Sequence, residues 1–83
     1  MITVRLPSGL RGSFGAEIEV RQPVANIGQL VEAVERIRPD LRDALHDSLY
    51  NFAVNDTLIL HGADAHRLVD GDIVELIPTI AGG

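Results

Sequence analysis

Two stretches of this 83-residue chain hold residue types and spacings with chemical potential. The first is IPTIAGG at residues 77–83, which ends in Gly82-Gly83 behind the small Ala81. A C-terminal carboxyl has a pKa of about 3.5, so at neutral pH it is ionised and a poor electrophile, and it must be activated before any nucleophile can attack it. Glycine lacks Cβ and tolerates positive φ, so this end of the chain can thread a tunnel shaped for bare backbone. The second stretch is HGADAHR at residues 61–67, where His61, Asp64 and His66 could converge on a divalent metal if the loop curled. A single short loop without fixed helical spacing reads better as a solvated polar loop, and no metal is expected. His46 reads as a surface residue on a short helix.

Other chemistries are excluded or unsupported. The chain has no cysteine, which removes disulfides, thiolate metal sites and a cysteine nucleophile. No Ser-His-Asp arrangement is legible. The glycine-rich PSGLRGSFG at 7–15 lacks the lysine and the helix context of a phosphate loop. Phe14, Tyr50 and Phe52 are the three aromatics and read as core or edge packing rather than a base-stacking platform. Intrinsic catalysis is therefore unsupported, and no bound cofactor is expected.

The elements that must hold the Gly-Gly end follow from hydrophobic period. ITVRLP at 2–7 and FGAEIEV at 14–20 alternate apolar and polar residues, which predicts an N-terminal hairpin joined through a glycine-rich loop. Ile27, Leu30, Val31, Val34 and Ile37 then fall on one helical stripe. Asn26 is placed to cap that helix, Gln29 to complete a capping box, and Pro39 to stop it near Arg38, while Gly28 weakens its first turn. PDLRDALHD at 39–47 predicts a short second helix. FAVNDTLIL at 52–60 reads as two strands around an Asn55-Asp56 turn, and LVDGDIVELIP at 68–78 as an Asp70-Gly71 turn and a last strand. A leading hairpin, one main helix and trailing strands predict an α+β fold, a mixed sheet of four to five strands covered on one face by the helix. The first and last strands would pair in its middle. The expected core includes Val4, Ile18, Leu30, Val31, Val34, Val74 and Leu76. In the last strand Ile73, Glu75 and Ile77 share the other, solvent-facing side.

Length and composition fit one small domain over residues 1–83 with a flexible tail at 79–83. The chain is 46% apolar and 23% charged, the profile of an ordinary folded protein. No signal-like leader or long apolar run occurs, so neither secretion nor membrane spanning is indicated and the cytoplasm is the expected location. Residues 1–42 carry six arginines against five acids, whereas residues 43–83 carry Arg67 against seven acids, and there is no lysine. An acidic half repels phosphate backbones and disfavours nucleic acid, and its field suits a basic protein partner.

AVNDTLIL at 53–60 and LVDGDIVELIPTIAGG at 68–83 together resemble the MoaD/ThiS family of ubiquitin-like sulfur carrier proteins, whose fold is the β-grasp. The resemblance covers nearly the whole chain, and its Asn-bearing turn, Asp-Gly-Asp turn, apolar strand with a proline and terminal Gly-Gly occur in family order. AVN-TL followed by DGD is most similar to the small subunit of molybdopterin synthase. That group carries an aromatic pair and two prolines where this chain has Leu76-Ile77-Pro78-Thr79. ELIPTIAGG at 75–83 also resembles carriers that deliver sulfur for cysteine synthesis. The resemblance implies that the Gly83 carboxylate, presented with Gly82, is adenylated with ATP by an E1-like activating enzyme. It is then converted to a thiocarboxylate whose sulfur passes to an acceptor enzyme such as a molybdopterin synthase large subunit. Delivery to cysteine or thiamine-thiazole synthesis, or ubiquitin-like protein modification, is the alternative. Partner binding is expected of Asp70, Asp72, Ile73, Glu75, Ile77 and Pro78, with Thr79, Ile80 and Ala81 leading to the reactive end.

Overall fold

The computed structural model describes residues 1–47 and 50–78. Strand β1 (Ile2–Arg5) is followed by helix α1 (Ser8–Phe14), strand β2 (Glu17–Val20), helix α2 (Ile27–Ile37) and helix α3 (Pro39–Asp47). Strands β3 (Tyr50–Val54) and β4 (Thr57–Ile59), a 3-10 turn (Ala63–Ala65) and strand β5 (Ile73–Pro78) complete the order. The five strands form one sheet in the order β2-β1-β5-β3-β4. β1 and β5 are the parallel pair, with Val4 opposite Val74, and the other pairings are antiparallel. The expected central pairing of first and last strands is therefore observed. No helix among the described residues is long and apolar enough to cross a membrane.

Alternation decides which face of the sheet is covered. Ile2 and Val4 of β1, Ile18 and Val20 of β2, and Val74 and Leu76 of β5 are buried, and they pack against Ile27, Leu30, Ala33 and Val34 of α2. Removing each such side chain from water stabilises the fold by about 1.5–3 kcal/mol before entropy is counted. Val31 is only partly buried at the edge of this cluster. Ile37, expected on the buried stripe, is 45% exposed. The helix ends there: Arg38 leaves helical geometry ahead of Pro39, where α3 begins.

The start of α2 is built as its sequence suggests. The Asn26 Oδ1 accepts the Gln29 N–H at 2.8 Å, and the Gln29 Oε1 accepts the Ala25 N–H at 2.8 Å, one residue upstream of the cap. Gly28 has a packing reason: a Cβ there would lie 3.2 Å from the Asp64 carbonyl oxygen, because the 3-10 turn sits against the first turn of α2. The HGADAHR segment is thus a folded brace. Its His66 carbonyl accepts the Ile27 N–H, and Arg67 bridges to Asn26.

One connection differs from the sequence reading. The hairpin pairing of β1 and β2 is present, but a seven-residue helix, α1, replaces the glycine-rich loop, and β2 begins at Glu17 instead of Phe14. Pro7 supplies a fixed φ at the start of α1, Leu10 packs against the core, and the Arg11 Nε donates to the Leu6 carbonyl at 2.8 Å. These anchors outweigh the poor helix propensity of Gly9 and Gly12. Gly15, at φ 84°, ends the helix with its N–H on the Arg11 carbonyl. The side chains of Phe14 and His46 lie outside the described residues.

Candidate functional site

The strand that leads to the Gly-Gly end is β5, and the sheet holds it on both sides. Its partners run from Thr3 opposite Ile73 on the β1 side to Tyr50 opposite Pro78 on the β3 side. Val74 and Leu76 anchor it in the core, leaving Ile73, Glu75 and Ile77 half-buried on the face that α2 does not cover, with Pro78 exposed at its end. Pro78 lacks an N–H, so it donates no ladder hydrogen bond at the last described position of the strand, opposite Tyr50. Thr79, Ile80, Ala81, Gly82 and Gly83 lie outside the described residues.

The register surrounds these side chains with others that β5 alone does not disclose. One row across the open face runs Glu17, Arg5, Glu75, Ala53, Leu58. Arg5 Nε lies 3.3 Å from the Glu17 carboxylate, and Arg21 pairs with Glu19 at 3.4 Å. The β2-β1 half of the face is therefore charged and internally paired. The half over β5, β3 and β4 carries the half-buried Ile73 and Ile77 and the 46%-exposed Leu58 around Glu75, while Ala53, between Glu75 and Leu58 in the row, is itself buried. Apolar side chains rimmed by charge have the anatomy of a protein-docking surface.

The two aspartates expected beside this face separate. Asp70 is exposed on its turn and ion-paired with the Met1 α-ammonium. Asp72 is only 8% exposed, and both carboxylate oxygens are occupied: Oδ1 accepts from Asn55 Nδ2 and Oδ2 from the Val69 N–H, each at 2.9 Å. A buried carboxylate satisfied in this way braces the fold and is withdrawn from any docking rim. Asn55, which its turn motif marked only as a turn residue, is the side chain that reaches Asp72. It and Asp56 adopt positive φ, 49° and 71°, as a tight hairpin turn between β3 and β4 requires. His61 and Asp64 are exposed and His66 half-buried. Among the described residues no group of three or more histidines, cysteines and acids is placed to hold a metal ion.

A mixed five-stranded sheet in this order, with one main helix across a single face, defines the chain as a ubiquitin-like β-grasp protein. The sequence model of the ThiS family matches residues 4–83, and the chain belongs to that family of small ubiquitin-like sulfur carriers. Among solved structures it is similar to CysO of the Amycolatopsis orientalis BexX/CysO complex, at 26% identity over 100% of both chains with a TM-score of 0.78. It is similar to Urm1 of Trypanosoma brucei at 29% identity, over 99% of this chain and 94% of that one, with a TM-score of 0.64. It also shares its fold with a chain from the complex of subunits 1 and 2 of Helicobacter pylori molybdopterin-converting factor, at 22% identity over 99% and 97% of the chains with a TM-score of 0.66. Comparison with curated protein sequences finds no match.

Proposed function

We propose that this protein is a sulfur-carrying cosubstrate whose reactive group is the Gly83 carboxyl. The observation that carries this reading is the family match over residues 4–83, which takes in both β5 and the Gly82-Gly83 pair. In the first step a Gly83 carboxylate oxygen attacks the α-phosphorus of ATP on an adenylating partner, and pyrophosphate leaves. Hydrosulfide supplied by the sulfur donor then attacks the acyl carbon, the C–O bond to the phosphate breaks, and AMP leaves behind a C-terminal thiocarboxylate after the S–H proton is lost to solvent. That sulfur is the nucleophile in a transfer catalysed by a second partner. The carrier contributes the group, its slim approach and a docking face of Ile73, Ile77 and Glu75 with Leu58, while catalytic machinery belongs to the partners.

The acceptor read from AVN-TL and DGD is a molybdopterin synthase large subunit, which would make this chain the small, non-catalytic subunit of that complex. A second reading is favoured by a specific observation. Likeness to CysO extends over the whole chain at a higher TM-score and identity than likeness to the molybdopterin-converting factor, and ELIPTIAGG resembles carriers serving cysteine synthesis. Under that reading the acceptor is a cysteine-synthase-like enzyme.

Intact-mass measurement after incubation with ATP, a matching activating enzyme and a sulfur donor tests the carrier reading. The wild-type chain exchanges one C-terminal oxygen for sulfur. Gly82→Val blocks the exchange, because a β-branched side chain fills a passage shaped for backbone and loses positive φ. One residue added after Gly83 also blocks it, displacing the reacting atom by about 3.5 Å, far outside near-attack geometry. Sulfur gain by either variant at the wild-type rate overturns the reading. Presenting the thiocarboxylated chain to each candidate acceptor and following loss of its sulfur separates the two acceptor readings.

A further inference from the structure

Alternation of apolar residues fixes which face of β5 meets the core, but it does not fix absolute register. A slip of one residue would turn Ile73, Glu75 and Ile77 into the core and is strongly disfavoured. A slip of two residues keeps the same parity, and it would move everything beyond β5 by about 6.6 Å along the strand. Something other than hydrophobic period must supply the reference point. Because reacting groups must lie within a fraction of an ångström of productive geometry, that reference point matters for a chain whose reactive atom is reached through β5.

The Asn55–Asp72 pair has the required geometry. The Asn55 side chain donates from Nδ2 to Asp72 Oδ1 at 2.9 Å and accepts the Ile73 N–H on its own Oδ1 at 2.9 Å. Its backbone N–H donates to the Ile73 carbonyl, also at 2.9 Å. Asp72 in turn takes the Val69 N–H on its second oxygen, and its carbonyl accepts the Thr3 N–H at 3.1 Å. The β3–β4 turn, the turn before β5 and the start of β1 are thus tied at the first residue of β5. Only one orientation of the Asn55 amide serves both a carboxylate acceptor and a backbone donor, and within β5 only Ile73 follows an aspartate, so the amide-to-carboxylate contact singles out Ile73. A two-residue slip brings Glu75, in phase with Ile73, to the same backbone donor and acceptor of Asn55, but it takes Asp72 away from the Asn55 amide and leaves that nearly buried carboxylate short of a donor.

We propose that Asn55 and Asp72 are positioning residues that set the absolute register of β5 and through it the reach of the Gly82-Gly83 end. The inference rests on the carrier reading for its consequence in transfer, but the register itself is measurable without activity.

The test uses Asn55→Asp, Asp72→Asn and the exchange Asn55→Asp/Asp72→Asn in the full chain. Asn55→Asp sets two carboxylates against each other, and Asp72→Asn turns an amide NH2 toward either the Val69 N–H or the Asn55 NH2. The exchange restores every contact: the carboxylate at 55 accepts from Ile73 N–H and from the amide at 72, whose oxygen accepts the Val69 N–H. Amide hydrogen exchange at Ile73, the urea midpoint, and kcat/KM for sulfur gain are measured together. Val34→Ala, a core variant outside the clamp, controls for lost stability. Each single variant speeds Ile73 exchange by about tenfold or more, the weight of one charge-assisted hydrogen bond, and lowers kcat/KM. The exchange variant recovers both, and Val34→Ala keeps the wild-type kcat/KM. Failure of the exchange variant to recover Ile73 protection overturns the register role. Single variants that lose Ile73 protection yet keep full kcat/KM, or a Val34→Ala that loses as much kcat/KM as they do, overturn the positioning role. A wild-type chain that gains no sulfur refutes the carrier reading instead, and Ile73 exchange still decides the register.

Discussion

Leu30→Ala and Ile37→Ala together test how α2 is seated, because hydrophobic period treats the two residues as equals and the fold does not. Leu30 is 1% exposed and Ile37 45% exposed. Leu30 also borders a cavity of about 10 Å³ shared with Val31, Val34 and Phe52, so truncation enlarges an existing void. Removing three carbon groups forfeits about 2.4 kcal/mol of transfer free energy. Incomplete collapse of the enlarged cavity brings the expected loss to about 3–4 kcal/mol. For a chain this size, total stability is on the order of 4–12 kcal/mol, so the variant surrenders a large share of it. Its Tm should fall by roughly 12–30 °C. Ile37→Ala removes the same number of carbons from a half-solvated position and gains helix propensity, so its loss should stay under about 1 kcal/mol. Urea denaturation of both variants, with m-values checked for constancy, supplies the comparison. Equal losses in the two variants would refute the burial assigned to α2.

Two further predictions bear on the docking face and the helix start. Glu75→Arg places a second cation beside Arg5 on the open face, and association with a basic partner should slow several-fold at about 10 mM salt and converge with wild type near 1 M; an unchanged rate at low salt would remove Glu75 from steering. Asn26→Ala removes the side-chain acceptor of the Gln29 N–H, and stability should fall by about 1 kcal/mol with no change in sulfur gain; a loss below a few tenths would mean the cap is not stabilising α2.

Much of the fold was legible because it rests on local period. The β1 and β2 alternation, the α2 stripe, the Asn26 cap and the Pro39 stop, the Asn55-Asp56 turn and the Asp70-Gly71 turn are each written within a few neighbouring residues. The open-face placement of Ile73, Glu75 and Ile77 was legible for the same reason, since one strand's alternation fixes both of its faces. Helix α1 was not, because Gly9 and Gly12 argue against helix locally and the anchors that override them, Leu10 on the core and Arg11 on the Leu6 carbonyl, exist only once the sheet has formed. Gly28 looked like a weakness in α2 until the Asp64 carbonyl stood 3.2 Å from where its Cβ would be.

The sequence by itself determined the apolar faces and the turn positions, since each depends on side-chain type and short-range spacing. The tertiary structure decided which strands lie side by side, and so which residues join β5 on the open face. Arg5 and Glu17 arrive there through β1 and β2, and Ala53 and Leu58 through β3 and β4. It also decided the role of Asp72, an acid that composition assigns to the surface and that Asn55, seventeen residues upstream, draws into the fold. The physical reason is that a carboxylate's place depends on whether hydrogen-bond donors reach it, and donors supplied by distant segments leave no trace in local pattern.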